Sequence, residues 1–146
     1  VSRLNERYGS DLPAGFRFSL PTEAQWEYAC RAGSNRKAGS ESELREKAWF
    51  KSNSQGNSKL CAEKRANAWG IFDILGNVWE WCQDWYGDYS GSSETDPEGP
   101  SFGKMRVYRG GSYGSFAKHC HPSYRGRVRP NFRDSYIGFR VAVIPN

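Results

Sequence analysis

Between Ala68 and Tyr86 the chain places Trp69, Phe72, Trp79, Trp81, Trp85 and Tyr86 in one stretch, cut by Gly70 and Gly76. A single helix cannot run through it, because each interior glycine costs about 1 kcal/mol relative to alanine. Rings this dense must nevertheless be buried, so the stretch predicts short extended pieces joined by tight turns. Trp79 and Trp81 alternate around Glu80, the period of a strand with one face in the core. On that reading Glu80 is an exposed residue between two buried rings. A second reading joins Glu80 to the carbonyls of the glycine turns as a hard-oxygen site for calcium.

The rest of the composition agrees. Apolar residues are only 37% of the 146 and mean hydropathy is −0.82, yet aromatics reach 15%. Burying those rings offsets the ordering entropy that a disordered chain cannot meet. The length fits one domain, 1–146. No apolar run approaches the roughly 20 residues that cross a bilayer. The opening Val1–Arg7 has no apolar segment of the kind a secretory leader carries.

Net charge is +5. The basic excess sits late, in Arg106, Arg109, Lys118, Arg125, Arg127, Arg129, Arg133 and Arg140, while the stretch from Asp84 to Glu98 is acidic. A basic strip can bind nucleic acid. Without a recognisable nucleic-acid-binding motif that class is disfavoured, since loop arginines commonly tie backbone carbonyls instead. Cys30, Cys61, Cys82 and Cys120 lie far apart with no Cys-x-x-Cys pair, which argues against structural zinc. Two disulfides and four free thiols both remain open.

Local signals place the elements. Val1 to Tyr8 reads as the end of a helix, and Arg17–Pro21 as extended. Thr22 with Gln25 forms a capping box that starts a helix running to Ala32, closed by Gly33. Residues 34–66 read as polar surface loop, apart from a short helix at Ser40–Lys47 and the pair Trp49-Phe50. Met105–Arg109 reads as a strand stopped by Gly110-Gly111. Ile137–Ile144 reads as one last strand, central in its sheet because it lacks polar alternation after Arg140. Tyr113–Tyr136 reads as a long stretch without regular structure, which in a compact domain is usually functional. Trp69, Trp79, Trp81, Tyr108, Phe139 and Val141 are expected in or beside the core.

Four ordered motifs then stand out: Leu20-Pro21-Thr22-Glu23-Ala24-Gln25-Trp26-Glu27-Tyr28-Ala29, Gly70 through Gly76-Asn77-Val78-Trp79-Glu80-Trp81, Arg109-Gly110-Gly111-Ser112, and Gly138-Phe139-Arg140. Together they resemble the formylglycine-generating-enzyme (sulfatase-modifying factor) family over nearly the whole chain. The resemblance implies an α+β, loop-rich C-type-lectin-like domain with short strands and few short helices. Family domains carry a further N-terminal portion, which is not in this sequence.

The resemblance has two functional branches. Enzyme members oxidise a sulfatase cysteine with oxygen and a copper ion held by two thiolates, in a Cys-His-x-Ser-Tyr-Cys motif. Here Cys120-His121-Pro122-Ser123-Tyr124 ends in Arg125, and in an ungapped register Ser115 and Ala117 fall near the catalytic positions. Neither register supplies a cysteine pair, so Cys120 is catalytic only if the enzyme branch holds. The other branch contains variable proteins of diversity-generating retroelements, which display a mutable C-terminal region on the lectin-type frame. It implies a binding surface of Gly114, Ser115, Phe116, His119, Tyr124, Gly126, Val128, Arg129, Asn131, Phe132, Asp134, Ser135 and Tyr136. Phe116, Tyr124, Phe132 and Tyr136 would be its anchors, with Arg129 and Asp134 at the rim. Its partner would be a protein or other macromolecule, met at a cell or virion surface or outside the cell. Residue by residue, the family's structural calcium site maps to the Leu75, Gly76 and Val78 carbonyls with the Glu80 carboxylate. A ligand of a second calcium site is lost at Ala48.

Overall fold

A computed structural model describes residues 1–35 and 39–146. Among the described residues there are three short α-helices, α1 (Ser2–Tyr8), α2 (Glu23–Arg31) and α3 (Glu41–Lys47), and two 3-10 turns, Gly9–Asp11 and Ala117–His119. Six strands accompany them: β1 (Phe16–Ser19), β2 (Trp79–Trp85), β3 (Arg106–Arg109), β4 (Arg125–Val128), β5 (Ile137–Phe139) and β6 (Ala142–Pro145). This is the α+β architecture of short elements expected from the sequence.

Side-chain capping sets the helix starts. The Gln25 amide donates to the Thr22 hydroxyl at 3.2 Å, and the Thr22 amide donates back to Gln25 Oε1 at 2.9 Å. Ser40 and Glu43 make the same reciprocal pair ahead of α3. The left-handed residue that ends α2 is Ala32, at φ 46°, and Gly33 follows in the same region.

β1 and β6 pair antiparallel as a separate two-stranded sheet, while the larger sheet runs β4-β3-β2-β5. Within it β2 meets β3 antiparallel, with Glu80 opposite Arg109, and meets β5 in parallel, with Glu80 opposite Gly138. Trp26, Cys30, Ile74, Cys82 and Val107 form the main core, and Ala48, Phe50 and Cys120 a second cluster.

Several expectations are corrected. Glu80 is not exposed: Glu80, Cys82 and Asp84 form the buried face of β2, while Trp81 and Trp85 are only partly covered. Burial of these carboxylates is tolerated because each has partners, as buried polar groups require. The run Ile137–Ile144 is not one central strand. It breaks at Arg140, whose Nη2 donates to Glu80 at 2.6 Å and to the Phe72 carbonyl at 2.9 Å, and the two halves join different sheets at their edges. The break leaves Phe139 and Val141 exposed rather than in the core, and Trp69 is exposed too, edge-on to Tyr28 at 4.9 Å. The stretch 34–66 is not wholly surface, since Ala48, Phe50 and Ser54 are buried; residues 36–38 lie outside the described residues. Nor is 113–136 without structure, because it contains the Ala117–His119 turn and β4.

Candidate functional site

A buried ionic lattice sets the base of the segment after β3. Glu23 and Glu27, one helical turn apart on α2, face Arg109 of β3, which is fully buried. Arg109 Nη1 donates to Glu23 Oε1 at 2.5 Å, and its Nη2 donates to Glu27 and to the Pro122 carbonyl. Arg125 at the start of β4 grips both oxygens of Glu23, at 2.8 and 2.5 Å, and the Gly87 carbonyl. Arg31 pairs with Glu27 and donates to Ser123 Oγ at 2.6 Å. Planar guanidinium forks suit this multidentate work. The chain around Tyr124 is thereby tied to the frame on both sides.

The rest of the segment is pinned by backbone. The Tyr113 amide donates to the Asn77 carbonyl at 2.7 Å, the Lys51 amide to the Ser115 carbonyl at 2.9 Å, and the Trp79 amide to the Tyr136 carbonyl at 2.8 Å. The tight approach behind this needs Gly76. It sits at φ 75°, where a Cβ would collide with the Trp49 backbone.

On that base the rings form a continuous row. Tyr108 meets Trp79 edge-on at 4.8 Å, Trp79 meets Tyr124 at 5.8 Å, Tyr124 meets His119 at 4.7 Å, and His119 meets Phe116 at 6.0 Å. Phe132 and Tyr136 pair alongside at 6.1 Å. The row rises from buried Trp79 to Phe116, which is 54% exposed, and Tyr124, which is 39% exposed. Lys51 Nζ lies 4.4 Å from the centre of the Phe116 ring, a cation–π contact.

Of the residues expected on the binding surface, Gly114, Phe116, Tyr124, Arg129, Asn131, Asp134 and Ser135 are exposed, and His119, Val128, Phe132 and Tyr136 are half-buried. Two do not belong there. Ser115 is buried, its hydroxyl accepting from the Ser112 amide at 3.0 Å. Gly126 lies under Tyr108, and any Cβ there would overlap that ring. The sequence reading missed Lys51, Tyr108 and Trp79 as parts of this face. Strand alternation marks Tyr108, and no local signal marks Lys51.

The calcium donor set does not fit in this arrangement. Glu80 Oε2 accepts from the Trp26 indole at 2.8 Å and from Arg140 Nε at 3.0 Å, and Oε1 accepts from Arg140 Nη2 at 2.6 Å. A guanidinium thus already neutralises the one carboxylate that a calcium ion held with the Leu75, Gly76 and Val78 carbonyls would need. Burial raises the Glu80 carboxyl above its ordinary value, with Arg140 and Trp26 acting against that.

The cysteines are all free: Cys30, Cys82 and Cys120 buried and Cys61 exposed. Burial pushes the Cys120 thiol to about 12, and its sulfur packs against Gly111. A thiol held protonated is a poor ligand for soft copper, which binds thiolate. Arg125, the residue at the second cysteine position in one register, is committed to Glu23. In the other register Ser115 is committed to Ser112.

Residues 2–144 match the sulfatase-modifying factor enzyme 1-like domain. The chain is 36% identical to a formylglycine-generating enzyme of Streptomyces coelicolor, the match covering 84% of this chain and 46% of that one. It is 37% identical to that of Mus musculus, covering 84% and 38%. It therefore spans less than half the length of either relative. Among solved structures, Treponema denticola variable protein 1 superposes with a TM-score of 0.83 at 40% identity, covering 88% of this chain and 48% of that one.

Proposed function

The chain belongs to the sulfatase-modifying factor enzyme 1-like family, and from that premise we propose that it is a binding module of the family rather than a formylglycine-forming catalyst. The observation that carries the reading is the ring row. Phe116 and Tyr124 project from a segment clamped by Arg109, Arg31 and Arg125, so their exposed area is presented without a large ordering cost on binding. Exposed rings on a rigid base are the usual anchors of an interface. The surrounding Ser, Asn and Tyr side chains supply adaptable polar contact, as in antibody paratopes. The likeness to a variable protein of known structure points the same way. The partner is a protein or other macromolecule, and Arg129 and Asp134 set charge preference at the rim.

The face is a diversified one in this reading, and the encoding DNA tests it. An adenine-rich near-copy of codons 113–136 beside a reverse transcriptase gene is expected. Substitutions among isolates should fall on 114, 116, 124, 129, 131, 134 and 135, and spare Ser115 and Gly126. Absence of a near-copy, with changes scattered evenly along the chain, overturns diversification.

The identity to formylglycine-generating enzymes supports a rival reading, in which the same segment lines a substrate groove. Mixing the purified chain with copper, oxygen and a sulfatase-motif peptide separates the two. No aldehyde is expected; conversion of the peptide cysteine to an aldehyde would favour the rival.

A further inference from the structure

Resting on the binding-face reading of the ring row, we propose that its partner presents an acidic stretch of polypeptide and that Lys51 selects for it. Lys51 lies outside 113–136, so it stays when residues of that segment change. Its backbone is fixed, because its amide donates to the Ser115 carbonyl at 2.9 Å and nearby Phe50 and Ser54 are buried. The Ser54 hydroxyl donates to the Tyr113 carbonyl at 2.8 Å, which ties this stretch to the segment a second time. The exposed Lys51 side chain holds its Nζ 4.4 Å from the centre of the exposed Phe116 ring. An ammonium carries three donor hydrogens, and a ring face engages only part of them. A carboxylate arriving beside Phe116 therefore finds a charged donor already placed, at little ordering cost.

Among the described residues, Lys51, Arg129 and Arg133 form no ion pair. Glu41 reaches Ser52, next to Lys51, at 3.4 Å, but is paired with Arg45. After Glu98 the only carboxylate side chain is that of Asp134. Its Oδ1 serves its own turn, accepting from the Ser135 hydroxyl at 3.2 Å and the Tyr136 amide at 3.4 Å. Arg129 and Arg133 flank Phe132, and both are exposed. This stretch stands beside the row, since the Trp79 amide donates to the Tyr136 carbonyl and Phe132 pairs with Tyr136. The face is thus aromatic with a surplus of positive charge, and an acidic partner complements it in sign. Nucleic acid fits less well, because successive bases stack on open ring faces. Neighbouring rings of the row meet at 69°, 37°, 41° and 76°, and Lys51 lies over Phe116.

Selection of a random displayed peptide library on the purified chain tests the assignment. Recovered peptides should be enriched in Asp and Glu beside Phe, Tyr, Trp or Leu, relative to the unselected library. Lys51→Met keeps an apolar stem over the ring and the backbone amide. It should weaken the recovered peptides about ten-fold, the worth of one charge-assisted hydrogen bond. Amidating the carboxylates of a recovered peptide one at a time should find one whose loss costs a similar factor on the native chain and little on Lys51→Met. Peptides weakened by Tyr124→Ala but lacking acidic enrichment, or unaffected by Lys51→Met, overturn the proposal and leave the ring row as a binding face. Peptides indifferent to Tyr124→Ala overturn the reading of the row itself, and the acidic partner with it. Oligo-deoxythymidine that binds as tightly as the best peptide and competes with it assigns the face to nucleic acid, which also overturns the proposal.

Discussion

Arg109 has no exposed surface and is held by Glu23, Glu27 and the Pro122 carbonyl. Removing one member of a buried ion cluster strands the others, so Arg109→Ala should lower stability by about 3–5 kcal/mol in urea denaturation. Arg109→Lys should recover only part of this, because one ammonium cannot reach three acceptors in a fork. The thiols make a second residue-scale prediction. Burial pushes Cys30 and Cys120 to about 12, whereas unfolded cysteine titrates near 8.5. The folded state therefore holds protons that the unfolded state releases. Their contribution is complete below about pH 8.5 and is lost as pH rises toward 12, at up to about 1.4 kcal/mol per pH unit per thiol. Urea midpoints at pH 8 and 10.5 should show the decline, and Cys120→Ala should make it shallower. An unchanged slope in that variant would exclude this thiol as a cause.

At the level of elements, the two outer strands of the larger sheet differ in what holds them. β5 pairs in parallel with β2 over Trp79 to Trp81, and the Arg140–Glu80 pair anchors its end. β4 packs Gly126 beneath the Tyr108 ring. A methyl group at 126 must displace that ring, so Gly126→Ala should cost about 1–3 kcal/mol. A Cβ at Gly114 would meet only the Ser112 hydroxyl, at 3.9 Å, and Gly114→Ala should leave the melting temperature nearly unchanged. Both glycines lie within 113–136, and thermal denaturation of the two variants separates positions that hold the frame from positions open to change. Equal losses would mean that the Tyr108 contact does not set the tolerance.

Across the whole molecule, a polar lattice does what a larger apolar core would do in a greasier chain. α2 is joined to β3 and β4 by Glu23, Glu27, Arg109 and Arg125, and β2 to the chain beyond β5 by Glu80 and Arg140. This explains how 37% apolar residues suffice. It also bears on why the copper-and-peptide reaction should yield no aldehyde: Arg125, at the second-thiol position in one register, and Ser115, near a catalytic position in the other, already have structural work. Much of this was legible in the chain itself. The capping box at Thr22, the short helix at Ser40–Lys47, the strand at Met105–Arg109 and the α+β class depend on neighbours a few residues apart, and local sequence records such neighbours. The exposed rings at Phe116 and Tyr124 followed from family motifs bracketing a long segment. Which face of β2 is buried was not legible, because alternation marks two faces without saying which one has partners. Tertiary structure decided it by bringing Arg140, Trp26 and the Glu23 amide to Glu80 and Asp84 across 54 to 61 residues of chain. The same pairing breaks Ile137–Ile144 in two at Arg140. Each outcome depends on where a distant side chain arrives, and only the folded chain sets that distance.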